Sequence, residues 1–187
     1  MERCPWAGED KIYCDYHDNE WGVPVHDDRE LFEMLCLECM QAGLSWRTIL
    51  NKRGNFRKAF DNFDPKKISK YDEKKITELM GDVGIIRNRG KIEAIIHNSK
   101  MFLKIVKTYG SFDKYIWKFV NYKPIINSWE ESKQIPARTE MSDLMSVQLK
   151  KEGFKFVGST ICYAFAQSVG LVWDHLVSCF CCLKPKQ

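Results

Sequence analysis

The sequence predicts an all-α protein, and three observations carry that prediction. Apolar residues recur at helical spacing, for example at positions 31, 32, 34, 35 and 37, as in a helix that buries one face. Capping residues such as Asp27, Ser45 and Ser142 stand at the starts of such segments. Strictly alternating segments, which would indicate half-buried strands, are scarce. With 44% apolar and 29% charged residues, the 187-residue chain has the composition of a globular protein.

The predicted helices follow one another with short connections. In chain order they are 27–41, 45–51, 55–60, one that starts at 65, 73–80, 87–109, 111–120, 139–152 and 159–169. Asp27 or Asp28 caps the first helix, Ser45 caps the second, and Pro65 occupies the first position of another. Residues 121–140 contain two prolines and predict an irregular connection. Since no repeat or linker divides the chain, we expect a single domain over residues 1–187, built of two closely joined lobes.

The sequence argues against secretion and membrane insertion. Its first residues lack the apolar segment of a signal peptide. The most apolar stretch, 157–173, is interrupted by Gly158, Gln167 and Gly170, so it falls short of a membrane span. We therefore expect a cytoplasmic protein that makes no membrane contact.

Charge and aromatic residues are distributed unevenly along the chain. Residues 1–50 hold four basic and eleven acidic side chains, a net charge of −7 in a chain whose total is +4. This favours an acidic recognition region beside a basic binding face, although ordinary solvated charges would give the same count. The acidic stretch also contains five Trp and Tyr residues that fit a pocket for a flat, electron-poor ligand, or simple core packing. They are Trp6, Tyr13, Tyr16, Trp21 and Trp46.

The cysteines do not form a disulfide framework. Of the eight, Cys36 and Cys39 lie within an apolar helical pattern, where core packing is the simpler interpretation. His175 and Cys179 are four residues apart and share one helix face, as two metal ligands would. Two further ligands, from the N-terminal region, would complete a tetrahedral zinc site. Cys4 and His17 are the candidates.

Two glycine-bounded hairpins are candidates for binding the DNA backbone. One is 81–87, and the other is 153–160, which follows two lysines and ends in hydroxyl side chains. Backbone N–H groups at the start of a helix attract a phosphate, and nearby lysines add to that attraction. An ordinary helix–helix turn remains the alternative. The candidate phosphate contacts of the second hairpin are Lys155, Gly158, Ser159 and Thr160.

Three segments resemble one known family. They are R-C-P-W at 3–6 with Y-H-D-N-E-W-G-V-P at 16–24, Q-A-G-L-S-W at 41–46, and the segment 153–163. Over nearly its whole length the chain resembles the 3-methyladenine DNA glycosylase I family of the helix-hairpin-helix superfamily. The resemblance implies a two-lobed helical fold with the helix-hairpin-helix at about 145–170. Cys39, Met40 and Trp173 depart from the family's pattern.

The resemblance also assigns roles to residues. It implies one structural zinc ion that staples the two termini together through Cys4, His17, His175 and Cys179. It implies a base pocket of Tyr13, Tyr16, Trp21, Glu38 and Trp46, with Trp6 near by. Gly43 and Leu44 resemble a wedge that enters the gap left by a flipped base.

The implied activity is excision of N3-methyladenine from alkylated double-stranded DNA by a monomer. The methylated base is cationic, which suits aromatic faces and the catalytic candidate Glu38; a rim carboxylate paired with a basic side chain is the alternative. Lyase relatives carry a lysine after the hairpin, where this chain has Ser159 and Thr160, so we expect simple hydrolysis without strand cleavage. Asp174 is a second-shell or surface residue in this interpretation. Two other functions stay open: a non-catalytic zinc-stapled DNA-binding module, and a broader-specificity glycosylase that uses Asp174.

Overall fold

The computed structural model describes residues 2–182 and is almost entirely helical. Within these residues the α-helices are α1 Lys11–Asn19, α2 Asp28–Gln41, α3 Trp46–Ala59, α4 Pro65–Ile68, α5 Glu73–Gly81, α6 Arg89–Tyr109, α7 Phe112–Trp117, α8 Glu140–Lys151 and α9 Ser159–Ser168. The strands are β1 Ile125–Ile126 and β2 Val172–Trp173. Short 3-10 turns cover Pro5–Ala7, Asp61–Phe63, Lys118–Val120 and Ser132–Gln134. The all-α prediction is therefore confirmed.

Most helices start at the residues that the sequence indicates. The Asp27 side chain accepts hydrogen bonds from two backbone N–H groups at the start of α2, and Ser45 caps α3. Thr139 and Ser142 form a reciprocal capping box at the start of α8, and Pro65 occupies the first position of α4. Each cap satisfies backbone donors that have no partner inside the helix.

The predicted helices differ from those of the structure in two places. The separate segments 45–51 and 55–60 form one continuous helix, α3, which passes through Gly54 without a break. Ile49 and Phe56 are seven residues apart on one fully buried face, and their burial outweighs the helix penalty of about 1 kcal/mol for a glycine. The sequence analysis also missed α1, which carries Tyr13, Tyr16 and His17.

A short parallel pairing closes the irregular connection onto the C-terminal segment. Ile125 pairs with Val172 and Ile126 with Trp173, and Trp129 forms a further bridge with Leu176. Strands of two residues are too short to leave an alternating pattern in the sequence, so nothing in the sequence predicts them. Their effect is to fix residues 125–135 against the end of the chain.

Helix α2 lies at the centre of the molecule. Its residues from Leu31 to Met40 are all buried, and it packs against α3, α6, α7 and α9. Cys36 and Cys39 are each 1% exposed in this core, which confirms their structural interpretation. Among the described residues, no helix combines the length and the apolar character that a membrane span requires.

Candidate active site

A cavity of about 370 Å³ opens beside the C-terminal half of α2. This volume is within the range of small-ligand pockets. The residues that line it are Trp6, Tyr13, Tyr16, Trp21, Glu38, Gln41, Trp46, Ser132, Ile135, Ala164 and Gln167. All six residues expected at the base pocket therefore line one cavity, although they are spread over positions 6–46 and over several elements.

Glu38 is the only acidic residue among those that line this cavity. It shares the inward face of α2 with Leu31 and Leu35, and it is 4% exposed. Among the described residues, no group donates a hydrogen bond to its side chain or pairs with it. Burial raises the pKa of Glu38 from 4.5 to about 8, because water is not there to solvate the carboxylate. Glu38 is therefore not a rim residue that pairs with a basic side chain.

The aromatic residues of the cavity pack against one another, two of the pairs edge to face and one tilted. Tyr13 and Tyr16 are on the same side of α1, where three residues of spacing bring side chains together. The ring centroids of Tyr16 and Trp46 are 5.5 Å apart, those of Trp6 and Trp21 are 4.9 Å apart, and those of Trp6 and Tyr13 are 5.3 Å apart. Such contacts hold the rings in fixed orientations. The Trp46 indole N–H is buried and has no acceptor among the described residues.

The remaining walls were missed by the sequence analysis. Ala164 and Gln167 come from α9, and Ser132 and Ile135 come from the segment after β1. The second pair lies in the connection that the sequence predicted to be irregular. No local sequence signal marks it as a pocket wall, because its position depends on the pairing of β1 with β2.

Asp174 lies behind these walls and is not a surface residue. It is 0% exposed, and its carboxylate accepts four short hydrogen bonds, from Asn127, Trp129, Tyr163 and Gln167. It is not among the residues that line the cavity. The surface interpretation is therefore wrong, and the second-shell interpretation agrees with the geometry.

The four candidate zinc ligands form one buried cluster. The Sγ and ring nitrogen atoms of Cys4, His17, His175 and Cys179 all lie within 4.8 Å of one another. Cys179 Sγ is 3.5 Å from His17 Nε2 and 3.6 Å from His175 Nδ1, and Cys4 Sγ is 3.7 Å from His175 Nδ1. In a tetrahedral site with Zn–S of 2.3 Å and Zn–N of 2.0–2.1 Å, sulfur and nitrogen lie about 3.6 Å apart. The residues present therefore fit zinc.

Neighbouring groups set the chemistry of this cluster. His175 Nε2–H donates to the backbone oxygen of Trp21 at 3.1 Å, and His17 Nδ1–H donates to Asp18 at 2.8 Å. Each bond places the proton on that nitrogen, so the other ring nitrogen faces the cluster as an acceptor or ligand atom; the backbone N–H of Cys4 lies 3.3 Å from His17 Nε2. Burial lowers the pKa of His175 to about 4, so the ring is neutral, as a ligand must be. Backbone N–H groups of Leu176 and Cys181 point at the two sulfur atoms.

The Cys/His cluster lies against two aromatic residues of the cavity. The rings of Trp6 and His17 have centroids 5.2 Å apart, and those of Trp21 and His175 are 4.6 Å apart. Trp6 and Trp21 also line the cavity. These ring contacts connect one side of the cavity to the Cys/His cluster.

The candidate wedge is an exposed turn with a rigid base. Gly43 adopts φ +79° with open space around it, and Leu44 is 38% exposed. The Gln41 side chain donates to the backbone oxygen of Leu44 at 2.8 Å. The buried ammonium of Lys91, from α6, donates to the backbone oxygens of Met40 at 2.8 Å and Ala42 at 2.6 Å. Lys91 thus satisfies carbonyls at the negative end of α2.

The 153–158 hairpin between α8 and α9 is also fixed by α6. The Asn98 side chain donates a hydrogen bond to the backbone oxygen of Lys155 and accepts one from its backbone N–H. The His97 ring bonds to the backbone oxygen of Gly153 at 2.8 Å. Gly153 has φ +99°, a backbone conformation that favours glycine, and a Cβ there would come within 2.9 Å of Met101 Sδ. At the other end of the hairpin, Gly158 caps α9 without any side-chain bond.

The model of the methyladenine glycosylase family matches residues 6–182. A DNA-3-methyladenine glycosylase of Haemophilus influenzae is 52% identical over 179 residues, which cover 96% of this chain and 97% of that relative. The chain belongs to the methyladenine glycosylase family.

Solved structures of the family have the same fold. A crystal structure of 3-methyladenine DNA glycosylase I, 50% identical, superimposes with a TM-score of 0.94 and covers 96% of this chain and 99% of that one. A variant of 3-methyladenine DNA glycosylase I in complex with 3-methyladenine, 37% identical, superimposes with a TM-score of 0.93 and covers 96% and 97% of the two chains. The family that the three sequence segments indicate is therefore confirmed.

Proposed function

We propose that this member of the methyladenine glycosylase family removes N3-methyladenine from alkylated DNA by hydrolysis, leaving an abasic site. The observation that carries the proposal is Glu38, a buried carboxyl group without a partner that faces a cavity walled by aromatic rings. The names of the H. influenzae relative and of the structure that contains 3-methyladenine support this substrate. The other acidic candidate, Asp174, has both oxygens occupied by protein donors.

Glu38 and the rings select a cation. An N3-methylated adenine that is still attached to the sugar carries a positive charge, whereas adenine does not. The faces of Tyr16 and Trp46 attract such a ring by about 0.5–2 kcal/mol per contact. An ionised Glu38 attracts it further and accepts hydrogen bonds from its polar edge. Because burial raises the pKa of Glu38 to about 8, binding a cation beside it releases a proton from this carboxyl group near neutral pH.

The reaction needs little help from an acid. Methylation already makes the base a good leaving group, so the bond to the sugar breaks without protonation of the ring. The residues of the cavity bind the departing base and exclude water from it, which favours the stretched bond over the intact nucleotide. Ser159 and Thr160 occupy the positions where lyases carry a lysine, so no amine is there to form a Schiff base.

The DNA-binding elements are presented on one side of α6. Lys91 fixes the Gly43–Leu44 turn, and Asn98 fixes the 153–158 hairpin. These two residues are seven positions apart, hence on the same helix face and about 10 Å apart along its axis. We propose that Leu44 enters the stack of a duplex while Lys155, Gly158, Ser159 and Thr160 contact phosphates of the same duplex.

We further propose that one zinc ion is bound by Cys4, His17, His175 and Cys179. Four protein ligands leave no open position, so the ion has a structural role and takes no part in the reaction. We also propose a monomer with a single domain over residues 1–187 and the helix-hairpin-helix at about 145–170, as the family resemblance implies. Since its substrate is DNA, we propose that it works in the cytoplasm, at the nucleoid.

Chromatography of bases released from methylated duplex DNA tests the activity. We expect 3-methyladenine to appear with the wild type and to fall steeply with Glu38→Gln. A non-catalytic DNA-binding module would release nothing, and a broader-specificity glycosylase would also release hypoxanthine or 7-methylguanine from suitable duplexes.

A separate experiment tests whether the charge of Glu38 contributes to binding. The affinity for 3,9-dimethyladeninium, a permanent cation, should rise between pH 6 and pH 8 in the wild type as Glu38 ionises. Glu38→Gln should give a flat profile over the same range. A flat wild-type profile would mean that stacking alone selects the lesion.

A further inference from the structure

Asp174 is a buried charge held by neutral groups only. It is 0% exposed, and each of its oxygens accepts two hydrogen bonds. Oδ1 accepts hydrogen bonds from the Asn127 amide and the Trp129 indole N–H, both at 2.7 Å. Oδ2 accepts hydrogen bonds from the Tyr163 hydroxyl at 2.6 Å and from the Gln167 amide at 2.7 Å. A buried carboxylate is costly unless it is hydrogen-bonded, and four donors meet that requirement.

The four donors come from two different elements. Tyr163 and Gln167 are four residues apart on one side of α9. Asn127 and Trp129 belong to the segment that follows β1, whose backbone is bonded to the C-terminal segment at Trp173 and Val177. The carboxylate therefore links α9 to the 127–135 segment.

Both linked elements provide walls of the cavity. Gln167 itself lines the cavity, as does its α9 neighbour Ala164. Ser132 and Ile135 line the cavity three and six residues after Trp129. Between them, the Gln134 side chain accepts bonds from the backbone N–H groups of 130 and 131, so the turn that carries both wall residues is rigid. Any displacement of Trp129 is passed on to this wall.

We propose that Asp174 is a positioning residue that sets the distance between the α9 wall and the 132–135 wall, and thereby the fit of the cavity to the methylated base. It acts without touching the base, because it does not line the cavity. Nor has it a free lone pair for the sugar or for a water molecule, since both oxygens are occupied. The inference deepens the proposed function, on which it rests.

Trp129→Phe is the most informative variant, because it removes one donor and leaves the carboxylate intact. We expect the affinity for free 3-methyladenine to fall about threefold to tenfold, which is less than the roughly tenfold or more that a hydrogen bond to a charged group is worth, because this bond holds the wall and does not touch the base. Asp174→Asn should lower it by about tenfold or more, since its amide faces two donors. Excision from duplex DNA should fall in parallel for both variants. Tyr163→Phe, which removes a donor of the α9 side, should resemble Trp129→Phe and remains informative if Asp174→Asn does not fold.

Trp173→Phe is the matched control. It makes the same change one residue from Asp174, but the Trp173 indole N–H has no acceptor among the described residues. It should lower the melting temperature without changing the affinity for the base. Zinc content is measured for every variant, because Asp174 adjoins His175.

Three results would overturn the proposal. If Asp174→Asn abolishes excision while Trp129→Phe and free-base binding are unchanged, Asp174 takes part in the chemistry. If the variants lose only melting temperature, its role is limited to stability. If the base affinity of Trp173→Phe falls as far as that of Trp129→Phe, the effect comes from lost packing. A wild type that neither binds nor releases 3-methyladenine would instead contradict the proposed function.

Discussion

Replacing Glu38 by Gln should stabilise the free protein, and the gain should grow with pH. Burial raises the pKa of Glu38 from 4.5 to about 8 in the folded state, so the unfolded chain loses this proton first as the pH rises. The wild type therefore loses folding free energy between pH 4.5 and pH 8, and the loss is complete above pH 8. A tenfold change in the acidity constant is worth about 1.4 kcal/mol, so the loss between pH 5 and pH 8.5 is about 4 kcal/mol.

Urea unfolding of both proteins at pH 5 and pH 8.5, with zinc present and no base added, measures this difference. Every other titrating group is common to the two proteins and cancels. We expect the advantage of Glu38→Gln to increase by about 4 kcal/mol between the two pH values. Glu30→Gln, an exposed position of the same helix, serves as the control and should show no such increase. An advantage of Glu38→Gln that does not depend on pH would show that the carboxyl group is solvated, and the reasoning would fail.

Three further predictions concern zinc, the wedge and DNA, and a fourth concerns the reaction type. Cys179→Ser should lose the zinc ion and lower the melting temperature, whereas Cys182→Ser, outside the cluster, should retain one zinc per chain by metal analysis; a zinc-free wild type would contradict the site. Lys91→Met removes both hydrogen bonds from α6 to the wedge turn, and it should lower single-turnover excision from duplex DNA more than it lowers binding of the free base; equal losses would assign Lys91 to the cavity instead. Lys155→Ala should weaken duplex binding for all sequences and reduce the slope of log affinity against log salt by about one; an unchanged slope would move the phosphate contact to the 81–87 hairpin. Borohydride should trap no covalent adduct between the protein and damaged DNA, because no lysine follows the hairpin; a trapped adduct would indicate a lyase.

The local sequence was sufficient for the helices that carry their own signals. Asp27 and Ser45 cap helices at the predicted positions, because capping depends on residues within one turn of each other. The inward position of Glu38 followed from its spacing to Leu31 and Leu35 along α2. Helix α1 was missed, since its buried face consists of Tyr16 and His17 rather than of an aliphatic repeat.

The composition of the site, in contrast, depends on residues that are far apart in the sequence and close together in the folded protein. The Cys/His cluster joins residues more than 150 positions apart. The spacing that indicated His175 and Cys179 assumed a helix, whereas these residues flank a turn outside the helices. Cys4 and His17 were candidates without any spacing to support them, and the family resemblance implied all four. The 132–135 wall, the anchoring of the wedge by Lys91 and the four donors of Asp174 left no sequence signal at all. Each depends on contacts between elements that are remote in the chain, and such contacts exist only after the helices have packed. The sequence by itself therefore determined most of the helices, the family and the inward position of the Glu38 carboxyl group. The tertiary structure decided which polar groups line the cavity and which hold its walls together.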